Sequence, residues 1–124
     1  MNFPEDLKYT KSHEWVRALE GGWEIGITDY AQKELGDIVF VNLPQEGDSL
    51  SAEVSFADVE SVKAVSNIYS PVNGTVKELN QGILEDPALI NRSPYEAWLI
   101  RAGGEIPADE LLSAPEYRAL LPQE

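Results

Sequence analysis

Lys63 stands inside an apolar, strand-like run, FADVESVKAVSNIYSPVNGTV over residues 56–76, with Glu60 three positions before it. A free lysine has a pKa near 10.4, so it is protonated and unreactive at neutral pH. As a catalyst it needs burial or a cationic neighbour. The charges nearest in sequence are Asp58 and Glu60, which favour the protonated form. A lysine that a separate enzyme acylates needs neither condition, because that enzyme supplies the base. Spacing alone leaves two readings open: a solvated lysine on an edge hairpin, or an acylation site held at the tip of a turn. Ser12, His13 and Glu14 form the other suggestive group. As a charge-relay fragment it fails, because neighbours on a strand point to opposite faces. His13 is expected to be a structural residue that holds the N-terminal segment.

Composition removes several other chemistries. The 124 residues include no cysteine, so there is no disulfide framework, cysteine nucleophile or thiolate metal site. One histidine excludes a histidine-rich zinc site, and no loop has EF-hand spacing. No metal site is expected. The net charge of −13 and pI of about 4.3 disfavour nucleic acid and anionic lipid and favour basic surfaces on other proteins. No apolar run is long enough to span a membrane, and MNFPEDLKYT lacks the pattern of a secretory signal. The expectation is a soluble intracellular monomer, with residues 1–124 forming one domain.

The elements that must position Lys63 are mostly strands. WVRAL and WEIGI alternate and are joined by Glu20-Gly21-Gly22, a hairpin pattern. TDYAQKELG predicts a short helix with Asp29 as its cap, Gln32 three residues on and Gly36 at its end. DIVFVNL predicts a buried strand. Pro44-x-x-Gly47 recurs as Pro71-x-x-Gly74, with Ile38 aligned to Val65 and Val41 to Ile68. These half-repeats predict two similar β layers folded over one another, with the lysine turn between them. VSFADVE and AVSNIYS are the strands on either side of that turn. Further on, LEDPALIN predicts a helix capped by Asp86 with Pro87 first, and ADELL another helical turn. SAPEYRALLP has Ser113 and Glu116 in capping-box register. Trp15, Trp23 and Trp98 are expected in packing rather than on a docking surface. Tyr30 and Tyr69 flank the two central motifs and are candidates to face partners.

Four stretches resemble the glycine cleavage H-protein family, in that family's order and spacing. They are KYTKSHEWVR (8–17), GITDYAQKELGDIVFVNLP (26–44), ESVKAVSNIYSPVNGTV (60–76) and INRSPYEAWLI (90–100). The likeness runs from about residue 7 to residue 121. A biotin carrier places methionines on both sides of its lysine, whereas the flanks here are Val62 and Ala64. The lipoyl domains of 2-oxo acid dehydrogenases lack SHEW and GITDYAQ. Against the family's usual pattern, Glu53 and Ala57 stand where glycines are common and Asn67 where an acidic residue is. SPYEAW is one residue short and has no glycine before Trp98.

The resemblance implies a mostly β barrel-sandwich hybrid with short peripheral helices and a C-terminal helix. It implies lipoate in amide linkage on Lys63, with Glu60 part of the attachment motif. It further implies a carrier, not an enzyme, that shuttles an aminomethyl intermediate of glycine breakdown. The implied partners are a pyridoxal-phosphate glycine decarboxylase, a tetrahydrofolate-dependent aminomethyltransferase, a dihydrolipoyl dehydrogenase and lipoate-attaching enzymes. The place would be the cytoplasm, or the mitochondrial matrix for a processed eukaryotic form. An H-like carrier or lipoyl donor of another pathway is the alternative. The missing cysteines suit a cofactor that brings its own redox sulfurs, since a protein thiol nearby could exchange with its disulfide. The loaded arm carries a cationic amine that a carboxylate in a partly dry cleft could hold. By resemblance that cleft is lined by SHEW and GITDYAQ, with Ser12 and Glu14 the candidate contacts.

Overall fold

Alternating apolar residues build the first hairpin, β2 (Glu14–Leu19) and β3 (Gly22–Ile27), around Glu20 and Gly21. Gly21 takes φ +79°, which a residue with a Cβ rarely adopts. The computed structural model describes residues 1–107 and 111–122. β1 (Lys8–Tyr9) pairs with β2, and β9 (Ile100–Glu105) pairs with the other edge of β3. β8 (Asn73–Leu79) and β5 (Ser49–Leu50) complete a six-stranded antiparallel sheet in the order β1-β2-β3-β9-β8-β5. A second antiparallel sheet has the order β4-β6-β7, from β4 (Ile38–Asn42), β6 (Ser55–Ser61) and β7 (Val65–Tyr69).

The half-repeats explain how the two layers join. β4 and β7 both pair with β6 in the small sheet, while the strands after their Pro-x-x-Gly turns, β5 and β8, pair with each other in the large one. Gly47 takes φ +92° in the first turn. In the second, a Cβ on Gly74 would stand 1.8 Å from the Gly103 carbonyl oxygen, so glycine permits the approach of β9. Ile25, Ile27, Val41, Val59, Ile68 and Val76 meet in the main core between the sheets. Each such side chain contributes about 1.5–3 kcal/mol when fully buried. A smaller cluster of Phe3, Leu7, Tyr9, Trp15 and Tyr117 seats α4 (Ala114–Leu120) on the N-terminal segment, with Tyr9 and Tyr117 stacked at 4.9 Å. The tryptophans pack as expected: Trp15 is fully buried, and Trp23 and Trp98 lie partly buried against the cores.

Several local expectations need correction. α1 (Asp29–Leu35) is capped by Thr28, not Asp29. Thr28 ends β3 in extended conformation, and its hydroxyl accepts the Ala31 N–H at 3.2 Å. Asp29 is the first helical residue, and its carboxylate accepts from the Asn2 N–H and the Gln32 side chain. Gly36 ends the helix as expected, with φ +79°. The helix expected from Asp86 onward is the short α3 (Leu89–Arg92), which has Ala88 and not Asp86 at its N-cap, and a second short helix that was not expected, α2 (Gln81–Glu85), capped by Asn80, precedes it. Asp86 closes α2 instead of capping α3: its N–H donates to the Gly82 carbonyl at 2.9 Å, and Ile83 and Ile90, one from each helix, are buried in the main core. β4 is not a buried strand. It is an edge with an irregularity between Ile38 and Phe40, which leaves Val39 and Phe40 half exposed. The Ser113–Glu116 capping box forms as expected. Of the helical turn expected at ADELL, residues 108–110 lie outside the described residues, and Leu112 bridges to Tyr9.

Candidate functional site

The turn that carries Lys63 has neither glycine nor proline, and Ser61 organises it. The Ser61 N–H donates to the Ala64 carbonyl at 2.8 Å, closing the hairpin. The Ser61 hydroxyl oxygen accepts the N–H groups of Lys63 and Ala64 at 3.2 and 3.0 Å. A serine bonded to the backbone two and three residues on replaces the usual turn residues. The Val62 N–H donates to the Asp37 carbonyl at 3.0 Å, which fastens the turn to the chain just beyond α1. Lys63 is therefore exposed on a turn whose backbone is held from both sides, and its side chain passes beside Gly36. Among the described residues it forms no salt bridge. Glu60 lies in β6 opposite Phe40 and Val65, pointing outward next to the turn.

Ser61→Ala is expected to loosen this turn without unfolding the domain. It removes three side-chain hydrogen bonds to exposed backbone groups that water can replace, so the cost is about 1 kcal/mol. Amide exchange of Lys63 and Ala64 should accelerate while core strands keep their protection. Unchanged exchange at those two amides would show that the serine does not hold the turn.

Two cavities that share Ser12 lie along β7 against the N-terminal segment. The first, about 290 Å³, has apolar walls of Ile27, Ala31, Leu35 and Ile68 and polar ones that include Ser12 and Glu34. It lies between the SHEW and GITDYAQ segments. Glu14 is not in it. The Glu14 carboxylate borders the second cavity, about 410 Å³, with Thr10, Glu53, Tyr69 and Ser70. Ser12 borders both and links them.

Glu14 is only 1% exposed. Its Oε1 accepts the hydroxyls of Thr10 and Ser12, each at 2.6 Å, and its Oε2 accepts the Tyr69 N–H at 3.4 Å. Burial pushes the Glu14 carboxyl above its usual range, and these donors pull it back only in part. The site is a shielded carboxylate with two hydroxyls around it, suited to a small cation. Tyr69 itself is exposed. Thr10 escaped the sequence reading, although the Thr10-x-Ser12-x-Glu14 alternation was there to signal it. Glu53 takes φ +68° at the cavity wall, which explains why glycine suits that position. Asn67 faces Asp58 across the strands and borders neither cavity.

His13 is structural, as expected. Its backbone takes φ +76°, its ring packs against Tyr30, and its Nδ1 lies 2.7 Å from the Tyr117 hydroxyl. The Tyr117 hydroxyl also meets Thr28 Oγ1 at 2.8 Å, so this cluster ties the N-terminal turn to α4 and to the cap of α1. Ser12 donates to Glu14 and makes no bond with His13, so no charge relay exists. Among the described residues no group of His, Asp and Glu could hold a metal ion, and no helix is long and apolar enough to cross a membrane.

Comparison with known proteins agrees with these features. A family model described as Glycine cleavage H-protein matches residues 7–124. The Glycine cleavage system H protein of Carboxydothermus hydrogenoformans is 50% identical over 124 residues, covering 98% of this chain and 95% of that one. That of Oceanobacillus iheyensis is 50% identical over 124 residues, covering 98% of each. A crystal structure of a glycine cleavage system H protein from Mycobacterium marinum aligns with a TM-score of 0.89 at 40% identity, over 94% of this chain and 97% of that one.

Proposed function

The chain belongs to the glycine cleavage H-protein family, and from that premise we propose that Lys63 bears the family's covalently attached lipoate. We propose further that the loaded arm folds back along the two cavities toward Glu14. The protein is then a carrier that receives an aminomethyl group at a glycine decarboxylase and yields it at an aminomethyltransferase. A dihydrolipoyl dehydrogenase restores the arm. When bound, lipoate supplies a disulfide that can be opened, loaded and closed again.

The residues present fit such a group. Lys63 is an exposed amine on a hairpin turn, where an attaching enzyme can reach it. Lysine plus lipoate spans roughly a dozen bonds, a reach of about 15 Å, and a methylamine adds about 3 Å. Tyr69, whose N–H touches Glu14, lies six residues along β7 from Lys63, about 20 Å at ~3.3 Å per residue. The lengths match to within a bond or two. Along the way Ile27, Ala31 and Leu35 offer an apolar wall, and Ser12 marks the passage to the carboxylate. The single observation that supports this reading most is the buried Glu14 carboxylate, which accepts two hydroxyls, one of them from Ser12, the residue shared with the cavity beside Ile27, Ala31 and Leu35.

Peptide mapping of protein from its native host, followed by reconstitution with the three partner enzymes, tests this. The expected result is a lipoyl group on Lys63 alone and glycine-dependent turnover. A lipoyl group on Lys77, or none, would end the proposal. Lipoylation without turnover would place the carrier in another pathway.

A further inference from the structure

From residue 29 to residue 37 no side chain is fully buried. The stretch rests on partly buried groups, Ala31 and Leu35 against the main core and Tyr30 against the smaller one. Yet it forms one wall of the 290 Å³ cavity and carries the Asp37 carbonyl that receives the Val62 N–H. Asn91, in α3, supplies a further hold. Its Nδ2 donates to the Gly36 carbonyl at 2.9 Å and to Gln32 Oε1 at 3.0 Å, and its Oδ1 accepts the Ile38 N–H at 2.9 Å. The two backbone partners fix the orientation of the amide, because a flipped amide would set oxygen against the Gly36 carbonyl.

We infer that Asn91 is a positioning residue for the held cargo: it fixes α1 and the lysine turn relative to one another, so that the path from Lys63 to Glu14 keeps its length and its wall. This rests on the reading of Lys63 as the bearer of the arm and Glu14 as its end point. Asn91 grips residues 36 and 38, and Asp37 between them is the residue to which the lysine turn is fastened. A Cβ on Gly36 would stand 3.6 Å from Lys63 Cε, so the lysine side chain lies against the gripped segment. The bond to Gln32 reaches the middle of α1, and Gln32 Nε2 donates onward to Asp29 Oδ1 at 2.7 Å. One side chain thus ties the start of the path to its wall. Its own anchor is firm, because Ile90 beside it is fully buried and Leu89 packs against the main core. Asn91 borders neither cavity, so it acts through the backbone and Gln32 and not by touching the arm.

The arm and the path match in length to within a bond or two, so a shift of the turn by about 1 Å moves the amine off the carboxylate. Without Asn91 the Gly36 carbonyl and the Ile38 N–H turn to water, and α1 with residues 36–38 opens locally more often. The amine is then unprotected for a larger fraction of the time, and cargo is lost in proportion.

The test reads formaldehyde release from the full chain, lipoylated, loaded and purified away from its partner enzymes, and amide exchange in the unmodified chain. Asn91→Ala should release formaldehyde about tenfold faster than wild type and speed exchange of the Val62 amide by a similar factor. Alanine suits a helix, so α3 should persist. Asn91→Asp keeps the acceptor for Ile38 but not the donors, and it should change both readouts in the same direction even if the alanine variant fails to fold. Asn80→Ala is the control. Asn80 also bonds through its side chain, to the Gly82 N–H and the Trp98 carbonyl, but borders neither cavity. Its loss should lower the melting temperature and leave release unchanged. In a Glu14→Gln background Asn91→Ala should add less than about twofold, because both residues act on the same held amine. Unchanged release in the Asn91 variants, equal acceleration by Asn80→Ala, or the full effect in the Glu14→Gln background each overturns the positioning role alone. A wild type that releases formaldehyde as fast as Glu14→Gln overturns the reading of the held arm and the positioning role with it.

Discussion

Lys63→Arg is expected to give a fully folded protein that accepts no lipoate and supports no turnover with any partner enzyme. Acylation needs a neutral amine in the attacking state, and a guanidinium stays protonated at every accessible pH. The loss is therefore complete. Folding should not notice the change. The turn is held by Ser61 and by the Val62–Asp37 backbone bond, and the lysine side chain takes no part in either. Surface substitutions of this kind stay within about 0.5 kcal/mol, a shift of about 2 °C in melting temperature. Intact mass after incubation with a ligase, lipoate and ATP reads the first effect, and a thermal melt reads the second. An acyl adduct on the variant would move the attachment site elsewhere. A melting temperature lowered by ten degrees would make Lys63 a structural residue.

Glu14→Gln is expected to leave lipoylation intact while shortening the life of the loaded protein in the absence of the aminomethyltransferase. A charge-assisted hydrogen bond in a shielded site contributes about 1.5–3 kcal/mol, so the cargo should be lost about ten- to a hundredfold faster. The rate of formaldehyde release from purified loaded protein measures this, and equal rates would remove Glu14 from the site. The protection also depends on pH. It requires the ionised carboxylate, and burial has raised the Glu14 pKa above its ordinary value of 4.5. Protection by the wild type should therefore weaken as pH falls through that raised pKa, whereas the variant should show no such dependence from this group.

The same substitution should make the unloaded protein more stable at high pH. A carboxyl whose folded pKa is raised binds its proton more tightly in the folded state than in the unfolded one. Its burial therefore costs nothing through ionisation below about 4.5, and the cost grows as pH rises until the raised folded pKa is passed. Glutamine keeps an acceptor for Thr10 and Ser12 but carries no charge. The variant should melt a few degrees above the wild type at pH 8, with the gap closing toward pH 4. A gap that did not change with pH would mean that packing, not charge, separates the two proteins. Stability given up at a buried carboxylate and regained when a cation arrives is the usual trade at a binding site.

The parts of this protein that were legible in the sequence are those decided within a few residues. The β2–β3 hairpin depends on alternation and on Gly21 at positive φ. The α4 cap depends on Ser113 and Glu116, three residues apart. The lysine turn depends on two strand patterns that meet at residues 62–64. Four ordered motifs pointed to the family because its chemistry is concentrated in short, contiguous stretches. Where sequence reading failed, a distant segment had decided the outcome. At the α1 cap, the Tyr117 hydroxyl lies 2.8 Å from Thr28 Oγ1 while the Asp29 carboxylate takes the Asn2 N–H, and Thr28 caps in place of Asp29. The apolar run at β4 reads as buried, but the small sheet covers the core with one face only, so Phe40 points to solvent.

Glu14 shows the difference most plainly. As a letter in SHEW it is a polar strand residue next to a histidine. Its chemistry comes from burial under β7, from the Tyr69 N–H that lies 55 residues away in the chain, and from the cavity wall at Glu53 and Ser70. Turn, cap and strand preferences are short-range properties of covalent geometry and local hydrogen bonds, so the order of residues carries them. Desolvation of a charge is set by whatever else the folded chain brings within a few ångströms, so it exists only once the sheets have closed over the site.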